Sequence, residues 1–178
     1  MDKKSGNKKY KSRHEENISP YVETVVKINR VNKVVKGGRR LAFRAFVVVG
    51  DQKGQAGLGL GKAKEVPISI RKAMEKAKRS LIKFNTINDT VPHVVNGQFG
   101  ASRVMIRPAS AGTGVIAGGV VRIILEAIGV KNVVAKSLGS RSPINLALAT
   151  INALQQCMTK AAVEKDRGIK LSVPVENK

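Results

Sequence analysis

The chain has 178 residues and is 42% hydrophobic, enough for one or two small compact units with real cores. Its 33 Lys and Arg outweigh 12 Asp and Glu, and a formal net charge of +21 opposes compaction unless a polyanion neutralises it. The lone Cys157 excludes an intramolecular disulfide or a multi-cysteine metal site and fits an intracellular, reducing location, while the longest glycine-and-apolar run, 114–121, is too short to span a membrane.

Residues 1–19 are polar, charged and aperiodic, without the apolar core of a signal peptide, and read as a flexible basic tail. From Tyr21 the pattern is β: Val22, Thr24, Val26 and Ile28 alternate with Glu23, Lys27 and Asn29. The alternation slips at Arg30 and Val31, so a bulge or loop is expected over 30–33. Lys36-Gly37-Gly38-Arg39 is a turn, and 41–49 is a second strand rich in Phe and Val. Asp51-Gln52-Lys53-Gly54 turns the chain into a third strand over 55–61. There Gly57, Gly59 and Gly61 leave one face as bare backbone, where something approaches closely. A helix is expected over 65–84, with Pro67 in its first turn and an apolar stripe of Val66, Ile70, Ala73, Met74, Ala77, Leu81 and Phe84. The domain over 20–84 thus reads β-β-β-α, its sheet covered on one side by the helix. Residues 85–92 form a polar linker.

The second domain, 93–162, opens with short strands near 93–95 and 102–106. The glycine-rich run 109–119 leads into a helix with Val120, Val121, Ile124, Leu125 and Ile128 inward, stopped at Gly129. A strand follows over 132–135. Ser142-Pro143 then opens a last helix carrying Ile144, Ala147, Leu148, Ile151, Leu154 and Met158 inward. The order is β-β-α-β-α, before a charged tail over 163–178. The fold class is α+β.

Catalysis has little to build on. His14 and His93 lie apart from any cysteine or carboxylate pair, and the acids are scattered singly, so neither an enzyme nor a metal site is expected. The run from Gly57 to Lys62 resembles a phosphate loop but has Ala56 and Ala63 where Gly and Ser or Thr are required. Gly112, Gly114 and Ala117 fit a loose dinucleotide pattern, yet 133–138 lacks the acidic residue a ribose needs. No cofactor is expected. These glycines either expose backbone N–H groups to a phosphate or make a tight turn with close packing, and the sequence favours neither.

The basic set of the first domain is the stronger signal. Residues 21–84 carry sixteen basic and four acidic side chains. Arg30, Lys33, Lys36, Arg39, Arg40 and Arg44 cluster on two strands and their loops, with Gly37 and Gly38 at the turn. Lys53, Lys62 and Lys64 are placed at the other end of the sheet, and Lys72, Lys76, Arg79 and Lys83 form a helix stripe. With aromatic residues at only 3%, base stacking is a minor term. The expected target is folded, largely duplex RNA held through its backbone.

RVNKVVKGGRRLAFRAFVVVGDQKGQAGLGLGKAKEVPISIRKAMEKA (residues 30–77) closely resembles the first domain of small-subunit ribosomal protein five of bacteria and plastids. RPASAGTGVIAGGVVRIILEAIGVKNVVAKSLGSRSPINLALATINAL (residues 107–154) resembles its second. The resemblance implies a double-stranded-RNA-binding-like first domain lacking its usual first helix, and a second domain shared with a translocation elongation factor. It implies a place in the ribosome, in bacterial cytoplasm or plastid stroma, in contact with small-subunit ribosomal RNA and neighbouring proteins four and eight. The second domain also meets RNA in this family, and the path by which messenger RNA enters lies nearby. The loop matching Val31, Asn32 and Lys33 would approach the spectinomycin pocket, although Asn32 stands where Ser or Thr is common. Gly114 and Arg122 match positions near protein four that bear on decoding accuracy.

Overall fold

The computed structural model describes residues 21–170. The tail expected over 1–19 lies outside them, as do 171–178. The chain folds as two α+β units, each built on a four-stranded sheet.

In the first unit, β1 (Val22–Val35), β2 (Gly38–Gly50), β3 (Gln55–Ala63) and β4 (Ile82–Lys83) form an antiparallel sheet in sequence order. α1 (Val66–Arg79) packs on one face, where Ala45, Val47 and Val49 meet Ala73 and Ala77. The bare face of β3 is the seat of this helix. A Cβ added to Gly57, Gly59 or Gly61 would fall onto the carbonyl oxygen of Ala77, Ala73 or Ser69 respectively. Small residues four apart on α1 therefore lie against glycines two apart on β3, and the backbones close to contact.

Three expectations for this unit are corrected. The helix stops at Arg79, not near 84: Ser80 Oγ donates to the Leu58 carbonyl at 2.9 Å, and residues 82–83 leave to become β4. β1 runs unbroken through 30–33, and its register shift falls earlier, between Val25 and Lys27. The sheet is also covered on both sides over β2 residues 45–50, all of them buried. An unbroken apolar run such as Ala45–Gly50 marks a strand without a wet face.

The second unit contains β5 (Val95–Phe99), β6 (Ser102–Pro108), β7 (Val115–Ile116), α2 (Gly119–Ile128), β8 (Val133–Ser137), α3 (Pro143–Gln155) and α4 (Lys160–Arg167). Its sheet has the order β5-β6-β8-β7, with β7 parallel to β8 and the other pairs antiparallel. The strand expected over 93–95 begins only at Val95, leaving His93 exposed. β7 and α4 add to the expected order, and α4 occupies residues where a tail was read. α3 ends before Met158, which is 52% exposed rather than inward. Ser142 stands at the N-cap of α3 without a side-chain cap bond. Gly129 does stop α2, at φ +96°.

One core joins the units. Phe46, Val48, Ala56 and Phe84 pack in the same buried cluster as Ile124, Ala127, Ile128 and Leu154. The β2–β3 turn docks on the end of α2: Gln52 N–H donates to the Ala127 carbonyl at 3.0 Å and Gly54 N–H to that of Ile128 at 2.9 Å. Carbonyls that a helix terminus leaves orphaned are thus satisfied by the other unit.

Candidate nucleic-acid interface

Between Glu23 and Asp51 the sequence holds seven basic residues and no acid. β3 ends at Ala63, opposite Phe43, and Phe43 in turn pairs with Arg30. That is the last row with three strands abreast. Beyond it, residues 31–35 and 38–42 continue as a two-stranded ribbon, about 17 Å long at the rise of a strand. Lys36 and Gly37 close its tip, Gly37 at φ +84°.

Register assigns the basic side chains to two faces. Lys33 pairs with Arg40, Asn29 with Arg44 and Arg44 with Lys62, on the face turned toward the second unit. Arg30 and Arg39 lie on the α1 side, around a hollow of about 420 Å³ lined also by Val31, Asn32 and Leu41. Arg30, Lys33, Lys36, Arg39, Arg40 and Arg44 are exposed, and none forms a salt bridge among the described residues. Such a ribbon presents cations on both sides, to be neutralised from outside rather than by its own chain.

Two placements differ from expectation. Lys62 lies beside Arg44, and Lys64 just follows β3 at the ribbon end of that strand, not at the far end of the sheet. Only Lys53 is remote, in the turn after β2, where its N–H donates to Asp51 Oδ1 at 2.8 Å. Val31, Asn32 and Lys33 belong to a strand, paired with Ala42, Leu41 and Arg40, not to a loop. Sequence reasoning also passed over Lys27. It shares a groove with Asn29, Arg44, Phe46 and the start of α3, and the bulge at Val26, which has no clear sequence signal, sets its side of the sheet.

The helix stripe is dispersed. Lys72, Lys76 and Arg79 are exposed on α1 while Lys83 belongs to β4. The neighbouring Lys78 pairs with Glu23 at 2.6 Å and lies 6.0 Å from the Tyr21 ring centre.

The second glycine run resolves as a tight loop at two positions. Gly112 and Gly114 N–H both donate to Asn132 Oδ1, at 3.0 and 3.3 Å, so neither is offered to a phosphate. Arg122 closes over the same loop, its Nη2 donating to the Val115 carbonyl at 3.2 Å. Gly114 and Arg122, eight positions apart in sequence, thus lie on one loop and the first turn of the helix that follows it. His14 lies outside the described residues. Among those described, no three His, Cys, Asp or Glu side chains gather as a metal site, and no helix is long and apolar enough to cross a membrane. Burial raises the pKa of the Cys157 thiol, which keeps it protonated and unreactive.

Two α+β units welded through one core, with an acid-free basic ribbon reaching out of the first, define a protein built to meet a polyanion. The sequence profile for ribosomal protein S5, N-terminal domain, matches residues 21–85, and that for ribosomal protein S5, C-terminal domain, matches 97–167. A small ribosomal subunit protein uS5 from Granulibacter bethesdensis is 55% identical over 152 residues, covering 85% of this chain and 80% of the relative. One from Bordetella pertussis is 54% identical over 153 residues, covering 86% and 88%. The chain belongs to the ribosomal protein S5 family.

Proposed function

We propose that this protein is a structural constituent of the small ribosomal subunit which binds ribosomal RNA chiefly through the ribbon of its first unit, and that it performs no catalytic step. The observation that carries the reading is the run from Arg30 to Arg44, six basic side chains with no acid. Of these, Lys33, Lys36, Arg39 and Arg40 lie on a two-stranded extension that gains little stability from packing, while Arg30 and Arg44 stand at its base. Such a ribbon is steadied by the surface it lies on. Phosphates are the matching surface, and Arg clamps them through paired N–H groups. Gly37, Gly38, Lys62 and Lys64 belong to the same contact; Lys53, at the far end, meets a separate RNA segment or none.

Family membership extends the reading to ribosomal proteins four and eight as neighbours, with Gly114 and Arg122 at the contact with protein four. It extends it also to roles in subunit assembly, messenger entry and decoding accuracy, in a bacterial cytoplasm or plastid stroma. The test is co-sedimentation and RNA crosslinking in cell extract. The chain should travel with small subunits at high salt and crosslink to small-subunit ribosomal RNA. Crosslinks scattered over messenger RNAs would instead make it a free-standing double-stranded-RNA-binding regulator.

A further inference from the structure

On the side that carries α1, the first sheet is covered unevenly. Register places Glu23, Val25 and Ile28 of β1 opposite Val49, Val47 and Ala45 of β2. The three β2 residues are fully buried beneath α1, whereas Val25 is 37% and Ile28 42% exposed. The cause is the seat of the helix. α1 rests on the glycines of β3, so its cover ends short of the outer strand. A trough is left, floored by Val25 and Ile28 and walled by Ile70 and Met74, which are only half-buried. Lys78, one turn beyond Met74, marks this flank of the helix as the one facing β1, because it pairs with Glu23.

The chain that precedes β1 arrives at one end of this trough. Tyr21 packs against the same cluster as Ile70 and Met74. Ser19-Pro20, just before it, is turn chemistry: proline fixes φ and keeps the serine out of a helix. A chain reversed there runs back along β1. Extended, residues 14–20 reach about 23 Å, the length of the strand from Tyr21 to Ile28. Their composition fits the trough as well. Ile18 is the one branched aliphatic side chain in residues 1–20, and Glu15 and Glu16 are its neighbouring acids. Arg30 lies beyond Ile28 on the same face, and Arg71 stands beside Met74 on the same flank of α1. Neither arginine forms a salt bridge among the described residues.

We propose that the trough between β1 and α1 is a docking surface for the chain's own residues 14–20, with Ile18 over Val25 and Met74 and the two glutamates toward Arg71 and Arg30. The tether favours this occupant over any partner in solution, since a short linker sets a high effective concentration. The contact shields an apolar strip on a long edge strand, a place where chains otherwise associate. It draws on a different face and different residues from the ribbon tip, and it holds whatever the ribbon binds.

The test is thiol alkylation of the full chain carrying Val25→Cys, with iodoacetamide as the probe and peptide mapping as the readout. Mapping separates the new thiol from Cys157, which is buried. Ile28→Cys is a second probe should the first variant fold poorly, and Lys72→Cys, on the opposite flank of α1, is the control. Adding Ile18→Ser to Val25→Cys should speed its alkylation by about tenfold, because the cover then opens more often. Glu15→Lys/Glu16→Lys should act in the same direction, and neither change should alter the rate at Lys72→Cys. The effect should not depend on protein concentration. A Val25→Cys rate unmoved by Ile18→Ser would overturn the proposal. So would protection that grows with protein concentration, which would assign the trough to a second copy of the chain.

Discussion

Gly59 and Ala73 face each other across the boundary of β3 and α1 with no room for a side chain on the strand, since a Cβ at 59 would fall onto the Ala73 carbonyl oxygen. Gly59→Ala should therefore push the helix off the sheet and cost about 1–3 kcal/mol or more, read as a lower denaturant midpoint. Gly37→Ala is the control. Nothing stands within 4 Å of its Cβ, and the cost should come from positive φ alone, roughly 1–2 kcal/mol. Equal stability of Gly59→Ala and wild type would mean that the helix seats elsewhere.

The sharing of one core by both units predicts a single cooperative unfolding transition. Calorimetric and van't Hoff enthalpies should agree for the full chain. Two resolved transitions would show that the docking of the β2–β3 turn on Ala127 and Ile128 adds little.

Much of this arrangement was legible in the sequence, and the failures have physical causes. The glycine alternation at 57, 59 and 61 announced a close approach, but only the fold could say that the intruder is the chain's own α1. Helix α2 and its stop at Gly129 were readable because periodicity and a left-handed cap coincide. The slip seen at Arg30 and Val31 was real as a change of pattern and wrong as a loop: past the row of Arg30 and Phe43 no third strand and no helix bury either face, so nothing enforces alternation. The bulge at Val26 was hidden among consecutive valines, and with it the side on which Lys27 lies. Pairings such as Arg44 with Lys62 depend on register between strands, which a single sequence leaves open.

Asn132→Ala should release the N–H groups of Gly112 and Gly114. Hydrogen exchange at both amides should quicken, and stability should fall by about 1 kcal/mol. Exchange at the wild-type rate would show that the loop holds itself without this side chain.

The Cys157 thiol has its pKa raised by burial above the ordinary 9.0. Because the folded state disfavours the thiolate, this contribution to stability is complete below the unfolded pKa and is lost as pH rises through it toward the folded value. Cys157→Ala should show a shallower loss of stability above pH 9.0 than wild type, and the native thiol should resist alkylating reagents. Rapid alkylation of the folded protein would contradict its burial.

The ribbon is where the account is most exposed to test. The decisive measurement is the salt dependence of binding to small-subunit ribosomal RNA for wild type and for Lys33→Ala/Lys36→Ala/Arg39→Ala/Arg40→Ala. Loss of four phosphate contacts should weaken binding and flatten the log–log slope by about 4. A slope identical to wild type would show that these cations face water in the complex and that the protein holds RNA by another surface.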